Sequence, residues 1–170
     1  DGDLILLDIG AEYANYSSDL TRMIPVNGKF TARQKEIYNA VLDMKNFATS
    51  LLVPGNNWYD YHKECGEFYT SKFLELGLLD KADVQNQDKN WPAYKKYMMH
   101  GTSHHLGLDT HDYGILKDKF VENMVFTVEP GIYLPAEGFG VRIEDDMVIQ
   151  NSGPAFNLMK NIPIEVEEVE

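Results

Sequence analysis

Carboxylates interrupt apolar, strand-like segments near both ends of this chain, and that feature constrains its fold more than any other. Residues 4–9 (LILLDI) form an apolar run typical of a strand buried on both faces, yet the run contains Asp8. A turn at residues 12–15 would return the chain as a strand over 16–24, with Asp8 facing Asp19. Because an uncompensated buried carboxylate costs several kcal/mol, the pair predicts a bound cation.

The same construction recurs later in the chain. Strands are predicted over 125–134 and 140–149, and the short turn between them places Glu129 opposite Glu144. The alternative interpretation, in which such carboxylates cap turns or lie at solvated edges, explains one hairpin more readily than two. Two acidic hairpins therefore favour a site where carboxylates converge.

Three acidic residues stand together in the last of these strands: Glu144, Asp145 and Asp146. Hairpin spacing alone leaves open which of them faces the site. Arg142 lies two residues before Glu144 and projects to the same face, where it can hold a ligand carboxylate or a carboxylate of the substrate. The alternative for Arg142 is an exposed surface arginine.

A histidine-rich segment, MHGTSHHLGLDTHD, lies between the two hairpins. It contains four of the five histidines of the chain, namely His100, His104, His105 and His111. His100 and His104 share a face in either a strand or a helix, but the glutamate of an HExxH zinc helix is missing. By itself the cluster fits a metal or proton-transfer site and a surface patch equally well.

Four carboxylates and one imidazole together would supply a charge of about −4, which balances two divalent cations. Ligands rich in oxygen with a single histidine favour Mn²⁺, Co²⁺, Fe²⁺ or Zn²⁺, and Mn²⁺ suits carboxylates best. Two such cations about 3.5–4 Å apart can share a water and lower its pKa, which gives hydroxide near neutral pH. The pattern therefore predicts a hydrolase with two divalent metal ions.

The intervening sequence predicts an α/β domain with a mainly antiparallel sheet covered by helices. A helix should begin after Thr31, where Gln34 completes a capping box, and a second after Asn57. The polar stretch 80–94 is interpreted as a surface loop, and 97–104 as a further strand.

Charge and composition narrow the partners and the location. A net charge of −12 disfavours nucleic acid and anionic membrane surfaces, and no apolar run approaches the roughly 20 residues of a membrane span. The single cysteine, Cys65, is expected to be buried, and it suits a reducing compartment, so we expect a soluble, cytoplasmic protein. The acidic tail from Glu165 should be solvated.

Four segments resemble the pita-bread metallopeptidases, the family of methionine aminopeptidase, prolidase, creatinase and aminopeptidase P. They are LDIGAEYANYSSDLTR, MHGTSHHLGLDTHD, TVEPGIY and VRIEDDMVI, in the order of the family's metal and catalytic segments. The resemblance implies a pita-bread fold. It also implies that residues 1–170 are the carboxy-terminal part of the catalytic domain, with the first half truncated. Such a part is expected to bury its first strand against another copy, as a homo-oligomer, and to show little activity alone.

The resemblance implies a role for each candidate residue. The implied metal ligands are Asp8, Asp19, His104, Glu129 and Glu144. Asp19 and Glu144 would bridge both ions, and Glu129 would also act as general base toward the bridging water.

The remaining implied roles concern the substrate and the reaction intermediate. His100 would contact the substrate beside the scissile bond, and His111 would steady the tetrahedral intermediate or donate a proton. Arg142 would hold Asp8 in place. His105 stands where relatives often carry an aromatic residue and receives no catalytic role.

Within the family, Ser103 and the segment NGKFT resemble aminopeptidase P most. The implied reaction is hydrolysis of the bond between an amino-terminal residue and a following proline, with peptides as substrates. Prolidase, which cleaves Xaa-Pro dipeptides, is the close alternative. An inactive binding module is disfavoured because such relatives typically lose metal ligands, whereas all five are present here.

Overall fold

The computed structural model describes residues 2–170 and has an α/β architecture in which every strand pairing is antiparallel. The first hairpin pairs β1 (Leu4–Ile9) with β4 (Leu20–Pro25). At its tip, β2 (Glu12–Tyr13) pairs with β3 (Tyr16–Ser17). The α/β class and the mainly antiparallel sheet predicted from the sequence are confirmed.

The register of this first hairpin differs from the prediction. Asp8 pairs with Thr21 rather than with Asp19. The turn is centred between Ala14 and Asn15, both of which have positive φ (51° and 69°), as a tight hairpin turn of this kind requires. Asp19 is therefore a diagonal neighbour of Asp8 on the same face, still within reach of its side chain.

Strand β1 is not buried on both faces as predicted. Among the described residues it pairs only with β4, and five of its six residues are exposed. Ile5 and Ile9 are 45% and 56% exposed. The apolar run therefore predicts the strand correctly. It does not predict the burial of the strand, because burial depends on which segments pack against the sheet.

The second hairpin keeps the predicted register. Val128 pairs with Asp145 and Gly131 pairs with Arg142. These two pairings have the same register, which places Glu129 opposite Glu144. Each predicted strand is, however, divided in two. The resulting strands are β5 (Val125–Val128), β6 (Gly131–Leu134), β7 (Phe139–Arg142) and β8 (Asp145–Val148).

The divisions occur at the acidic residues and have a backbone cause. Pro130 has no N–H to offer the ladder. Glu144 donates its N–H to the carbonyl of Thr21 in the first hairpin at 3.1 Å instead of to the opposite strand. The two hairpins are thus joined where their carboxylates lie. A short strand that was not predicted, β9 (Phe156–Asn157), pairs with β8.

Two long helices cover the second hairpin. Helix α1 (Ala32–Ser50) has the predicted capping box and contacts β5, β6 and β7, whereas α2 (Trp58–Glu75), capped by Asn57 as predicted, packs on α1. Cys65 on α2 is fully buried, as expected. No helix within residues 2–170 is long and apolar enough to cross a membrane.

Two segments between α2 and β5 were interpreted incorrectly. The stretch 80–94 is not wholly loop, because it contains helix α3 (Lys81–Gln85) and enters a 3₁₀ turn at Ala93–Lys96. The strand predicted over 97–104 is absent among the described elements. That segment instead supplies single carbonyls to the second hairpin, such as the Thr102 carbonyl that accepts from the Glu129 N–H at 2.8 Å.

The acidic tail is partly packed and partly solvated, because Glu165, Glu167 and Glu168 are exposed as predicted. It forms helix α4 (Val166–Val169), which contacts α1 and buries Val166. The side chain of Glu170 accepts from Lys35 Nζ at 2.9 Å and from the Phe30 N–H at 2.8 Å. The prediction from charge did not include these contacts, because Lys35 and Phe30 lie more than 100 residues before Glu170 in the chain.

Candidate metal centre

Ligand atoms from three segments converge between the two hairpins. One side-chain atom each from Asp19, His104 and Glu144 lies within 4.8 Å of the other two. Asp19 directly precedes β4, His104 lies on the irregular segment before β5, and Glu144 precedes β8. His104 Nε2 is 3.6 Å from Asp19 Oδ2. The structure thus brings together three of the five predicted ligands, the first and last of which lie more than 120 positions apart in the chain.

Glu144 is the most deeply placed member of this group. It is 2% exposed, and its Oε2 accepts a hydrogen bond from Thr21 Oγ1 at 2.7 Å. Its Oε1 is buried without a hydrogen-bond partner among the described residues. An unpaired buried carboxylate oxygen is costly, and the other two members of the group offer a carboxylate and an imidazole. This donor set fits a divalent cation.

Glu129, which directly follows β5, borders the group. Its Oε1 is 3.7 Å from His104 Nε2, and its Oε2 is 4.0 Å from His100 Nδ1. It is therefore adjacent to His104 but outside the tightest set of three ligand atoms.

Asp8 lies at the open side of the site. Its side chain is 45% exposed and forms an ion pair with Arg142 Nη2. Arg142 also donates from Nε to Thr21 Oγ1 at 3.2 Å, and Thr21 in turn bonds Glu144. The structure therefore places Arg142 on Asp8, as the resemblance implied. Thr21 was missed, although the correct hairpin register would have revealed it opposite Asp8.

Burial and crowding of like charges perturb these carboxyl groups. Burial raises the pKa of Glu144 to about 8 and that of Glu129 to about 7, with neighbouring carboxylates adding to the rise and Arg142 opposing it at Glu129. The pKa of Asp19 is raised by burial and by Asp8. Each shift reports a negative charge that the metal-free protein accommodates poorly. A bound cation would relieve this cost.

The three consecutive acidic residues have three different environments. Asp145 is fully buried and contacts Arg22 Nη2 at 2.7 Å and Lys45 Nζ at 2.5 Å, so its charge is compensated within the core. Asp146 accepts the Asp19 N–H at 3.1 Å. Among the three, it is Glu144 whose side chain lies in the ligand group of the described residues.

Sequence reasoning missed Lys45, although a signal was available. Lys45 lies four residues after Val41 and three before Ala48, on the buried stripe of α1. A lysine on such a stripe requires a buried anion, because a fully buried ammonium group without a partner is strongly disfavoured. Its partner, Asp145, could not be identified from spacing.

His100 is held at both ring nitrogens. Because the Gly101 carbonyl can only accept, Nδ1 carries the proton and donates to it at 2.7 Å, which leaves Nε2 to accept from the Tyr133 hydroxyl at 2.7 Å. Arg142 Nη1 donates to the same hydroxyl at 3.2 Å. Burial lowers the pKa of His100, so the neutral ring is favoured. Tyr133 was not singled out from the sequence.

The other histidines of the cluster have distinct positions. His104 Nδ1 donates to the His105 carbonyl at 2.9 Å, which directs Nε2 toward the carboxylates of Asp19 and Glu129, the orientation that a metal ligand requires. The ring of His111 lies 4.3 Å from that of His104. His105 instead accepts from Trp58 Nε1 at 3.2 Å and packs on Phe126.

Comparison with known proteins gives consistent matches. The family model described as metallopeptidase family M24 matches residues 1–151. A Xaa-Pro aminopeptidase of Haemophilus influenzae is 42% identical over the whole chain. The Escherichia coli aminopeptidase P with the inhibitor Pro-Leu superimposes with a TM-score of 0.87 at 38% identity, and the zinc-substituted E. coli enzyme in complex with product has a TM-score of 0.86.

These matches include nearly all of this chain but only part of its relatives. The chain spans 42% of the H. influenzae protein and 40% of each E. coli structure, whereas each structure match covers 99% of this chain. The architecture agrees with the pita-bread fold that the four segments implied. On the family match and on the relatives together, the chain belongs to metallopeptidase family M24.

Proposed function

We propose that residues 1–170 form part of the catalytic domain of a metal-dependent aminopeptidase. The reaction is hydrolysis of the peptide bond between an amino-terminal residue and a following proline. The observation that carries the proposal is that Asp19, His104 and Glu144 offer ligand atoms within 4.8 Å of one another, while one oxygen of the buried Glu144 has no hydrogen-bond partner among the described residues. Membership of a metallopeptidase family and similarity to Xaa-Pro aminopeptidases support it.

The proposed centre holds two divalent cations. The proposed ligands are Asp8, Asp19, His104, Glu129 and Glu144, with Asp19 and Glu144 contacting both ions. Manganese is the proposed native metal because carboxylate oxygens dominate the set, and the zinc-substituted relative indicates that a similar site tolerates other divalent ions. When bound, the ions lower the pKa of a water held between them.

The protein's own groups would position the substrate and move protons. Glu129, whose Oε1 lies 3.7 Å from His104 Nε2, would accept the proton of the attacking water as a general base. Arg142 would hold Asp8 in the orientation that ligation requires. His100 would border the substrate with its ring fixed by Gly101 and Tyr133.

We also propose a homo-oligomer in the cytoplasm. The exposed apolar side chains of β1, among them Ile5 and Ile9, support association with another copy. The single cysteine, buried on α2, is compatible with a reducing compartment. Sedimentation of the protein at micromolar concentration tests the first point, because a strict monomer contradicts it.

Peptide hydrolysis tests the proposed reaction. The Mn²⁺-loaded full-length protein should release the first residue from Xaa-Pro-Xaa tripeptides and should act poorly on tripeptides with alanine in the second position. A strong preference for Xaa-Pro dipeptides would instead identify a prolidase, and no hydrolysis of either would favour the binding module. Glu129→Gln should abolish activity, whereas Glu137→Gln, at the exposed tip of the same hairpin and paired with Arg33, should not.

A further inference from the structure

The segment that carries His111 has no regular secondary structure. His111 is exposed, and among the described residues its side chain makes no hydrogen bond. Its defined contact is the His104 ring at 4.3 Å, with the two ring planes inclined at 65°. An exposed ring on an irregular loop would sample many positions unless the backbone beneath it were fixed. The residues that fix this backbone therefore determine where His111 lies.

Asp112 makes the contacts that close this loop. Its Oδ2 accepts the Leu108 N–H at 3.0 Å and its Oδ1 accepts the Tyr113 N–H at 2.7 Å. Its own N–H donates to the His105 carbonyl at 2.9 Å. Both carboxylate oxygens and the amide of one residue thus hold the turn on either side of His111.

Neighbouring residues are arranged around the Asp112 carboxylate. A β-carbon at Gly107 would collide with that carboxylate, so glycine leaves the space that it occupies. The Gly107 carbonyl accepts the Ser17 N–H at 2.8 Å, which fixes the loop to the first hairpin.

The same loop is connected to the metal centre through one carbonyl. The His105 carbonyl accepts from the Asp112 N–H and also from His104 Nδ1 at 2.9 Å. The backbone that Asp112 fixes is therefore the backbone that orients the His104 ring, which the His111 ring contacts edge-on.

We propose that Asp112 is a positioning residue, which keeps the His111 ring against His104 by closing the loop over residues 107–113. Asp112 contacts none of the proposed reacting atoms, and its effect passes through His111. The inference rests on the proposed function only for the role of His111 in the reaction. The loop geometry stands independently of that role.

A double-mutant cycle tests whether Asp112 affects catalysis through His111. Asp112→Ala should lower kcat for a Xaa-Pro-Xaa tripeptide about tenfold to a hundredfold with little change in KM, because a displacement of about 1 Å can cost that much. Asp112→Asn keeps one acceptor oxygen and should fall between Asp112→Ala and the unmodified protein. In a His111→Ala background, Asp112→Ala should have no further effect. Asp109→Ala removes an exposed carboxylate from the same loop and serves as the matched control with unchanged kcat.

A second measurement does not depend on activity. In Zn²⁺-loaded protein with labelled histidines, the nuclear Overhauser effect between the His104 and His111 rings should be present, should disappear in Asp112→Ala and should persist in Asp109→Ala. Persistence of this signal in Asp112→Ala would overturn the proposal. Additive losses in the double variant would overturn it as well. Absent hydrolysis by the unmodified protein would count against the proposed function, while the ring signal would still decide the inference.

Discussion

Two adjacent substitutions, Glu144→Gln and Asp145→Asn, should have opposite effects although both remove one buried carboxylate. Glu144 extends into the ligand group with a free oxygen, whereas Asp145 is enclosed by Arg22 and Lys45. We expect Glu144→Gln to lose metal while stabilising the metal-free protein. We expect Asp145→Asn to lose stability while retaining metal in the molecules that remain folded.

The magnitude for Asp145→Asn follows from its burial. Asp145 is 0% exposed, and its substitution leaves the guanidinium of Arg22 and the ammonium of Lys45 buried without their counter-charge. Removing one partner of such a pair costs about 3–5 kcal/mol. With a urea m-value of about 2 kcal/mol per M, the unfolding midpoint should fall by on the order of 2 M.

The magnitude for Glu144→Gln follows from its pKa. Burial raises that pKa from 4.5 to about 8, so at pH 7 the folded metal-free protein holds a proton that the unfolded chain has lost. This costs on the order of 3 kcal/mol at pH 7 and less than about 1 kcal/mol at pH 5. Glutamine removes the cost, so the stabilisation of the metal-free protein should be large at pH 7 and small at pH 5.

Urea unfolding with EDTA at both pH values, together with Mn²⁺ titration of each variant, provides the assay. Asp43→Asn, which breaks an exposed pair with Lys72, is the control and should change stability by less than about 0.5 kcal/mol. The reasoning is refuted if Glu144→Gln binds the full complement of metal, or if Asp145→Asn matches the control in stability.

Three further results are expected. Glu129→Gln should lower kcat by about three orders of magnitude or more, because it removes both a ligand charge and the proposed base, and steady-state kinetics measure this. His111→Ala should lower kcat about 10²-fold, whereas His105→Ala, whose ring is engaged by Trp58, should leave kcat nearly unchanged; equal losses would contradict the assignment. EDTA should lower the melting temperature more at pH 8 than at pH 5. Burial raises the pKa values of the proposed ligands Glu144 and Glu129 from 4.5 to about 8 and about 7, so the metal-free form loses stability as the pH rises from about 4.5 to about 8.

The sequence predicted those parts of the fold that depend on local signals. Both long helices begin where their caps predict, because Thr31 and Asn57 satisfy free N–H groups within the next turn. The second hairpin has the predicted register because its turn is short. The first hairpin was shifted because its tip carries an additional pair of short strands, and the position of such a turn depends on positive φ at Ala14 and Asn15.

Features that depend on distant contacts could not be predicted. The tail containing Glu170 is ordered by Lys35 and Phe30, which precede it by more than 130 residues. The difference in environment between Glu144 and Asp145 depends on which face of β8 meets α1. In that contact Lys45 of α1 pairs with Asp145, which lies about 100 residues later in the chain. Thr21 and Tyr133 likewise became visible only when the two hairpins were seen together.

The central claim is that converging carboxylates and His104 form a two-metal hydrolytic centre. Its most direct test is calorimetric titration of the metal-free protein with Mn²⁺ at neutral pH, with Xaa-Pro-Xaa hydrolysis measured at each point. We expect two equivalents of Mn²⁺ to bind and the hydrolytic activity to rise with the number of ions bound. Glu144→Gln should bind fewer than two equivalents. Full hydrolytic activity with at most one bound equivalent, or with none, would contradict it.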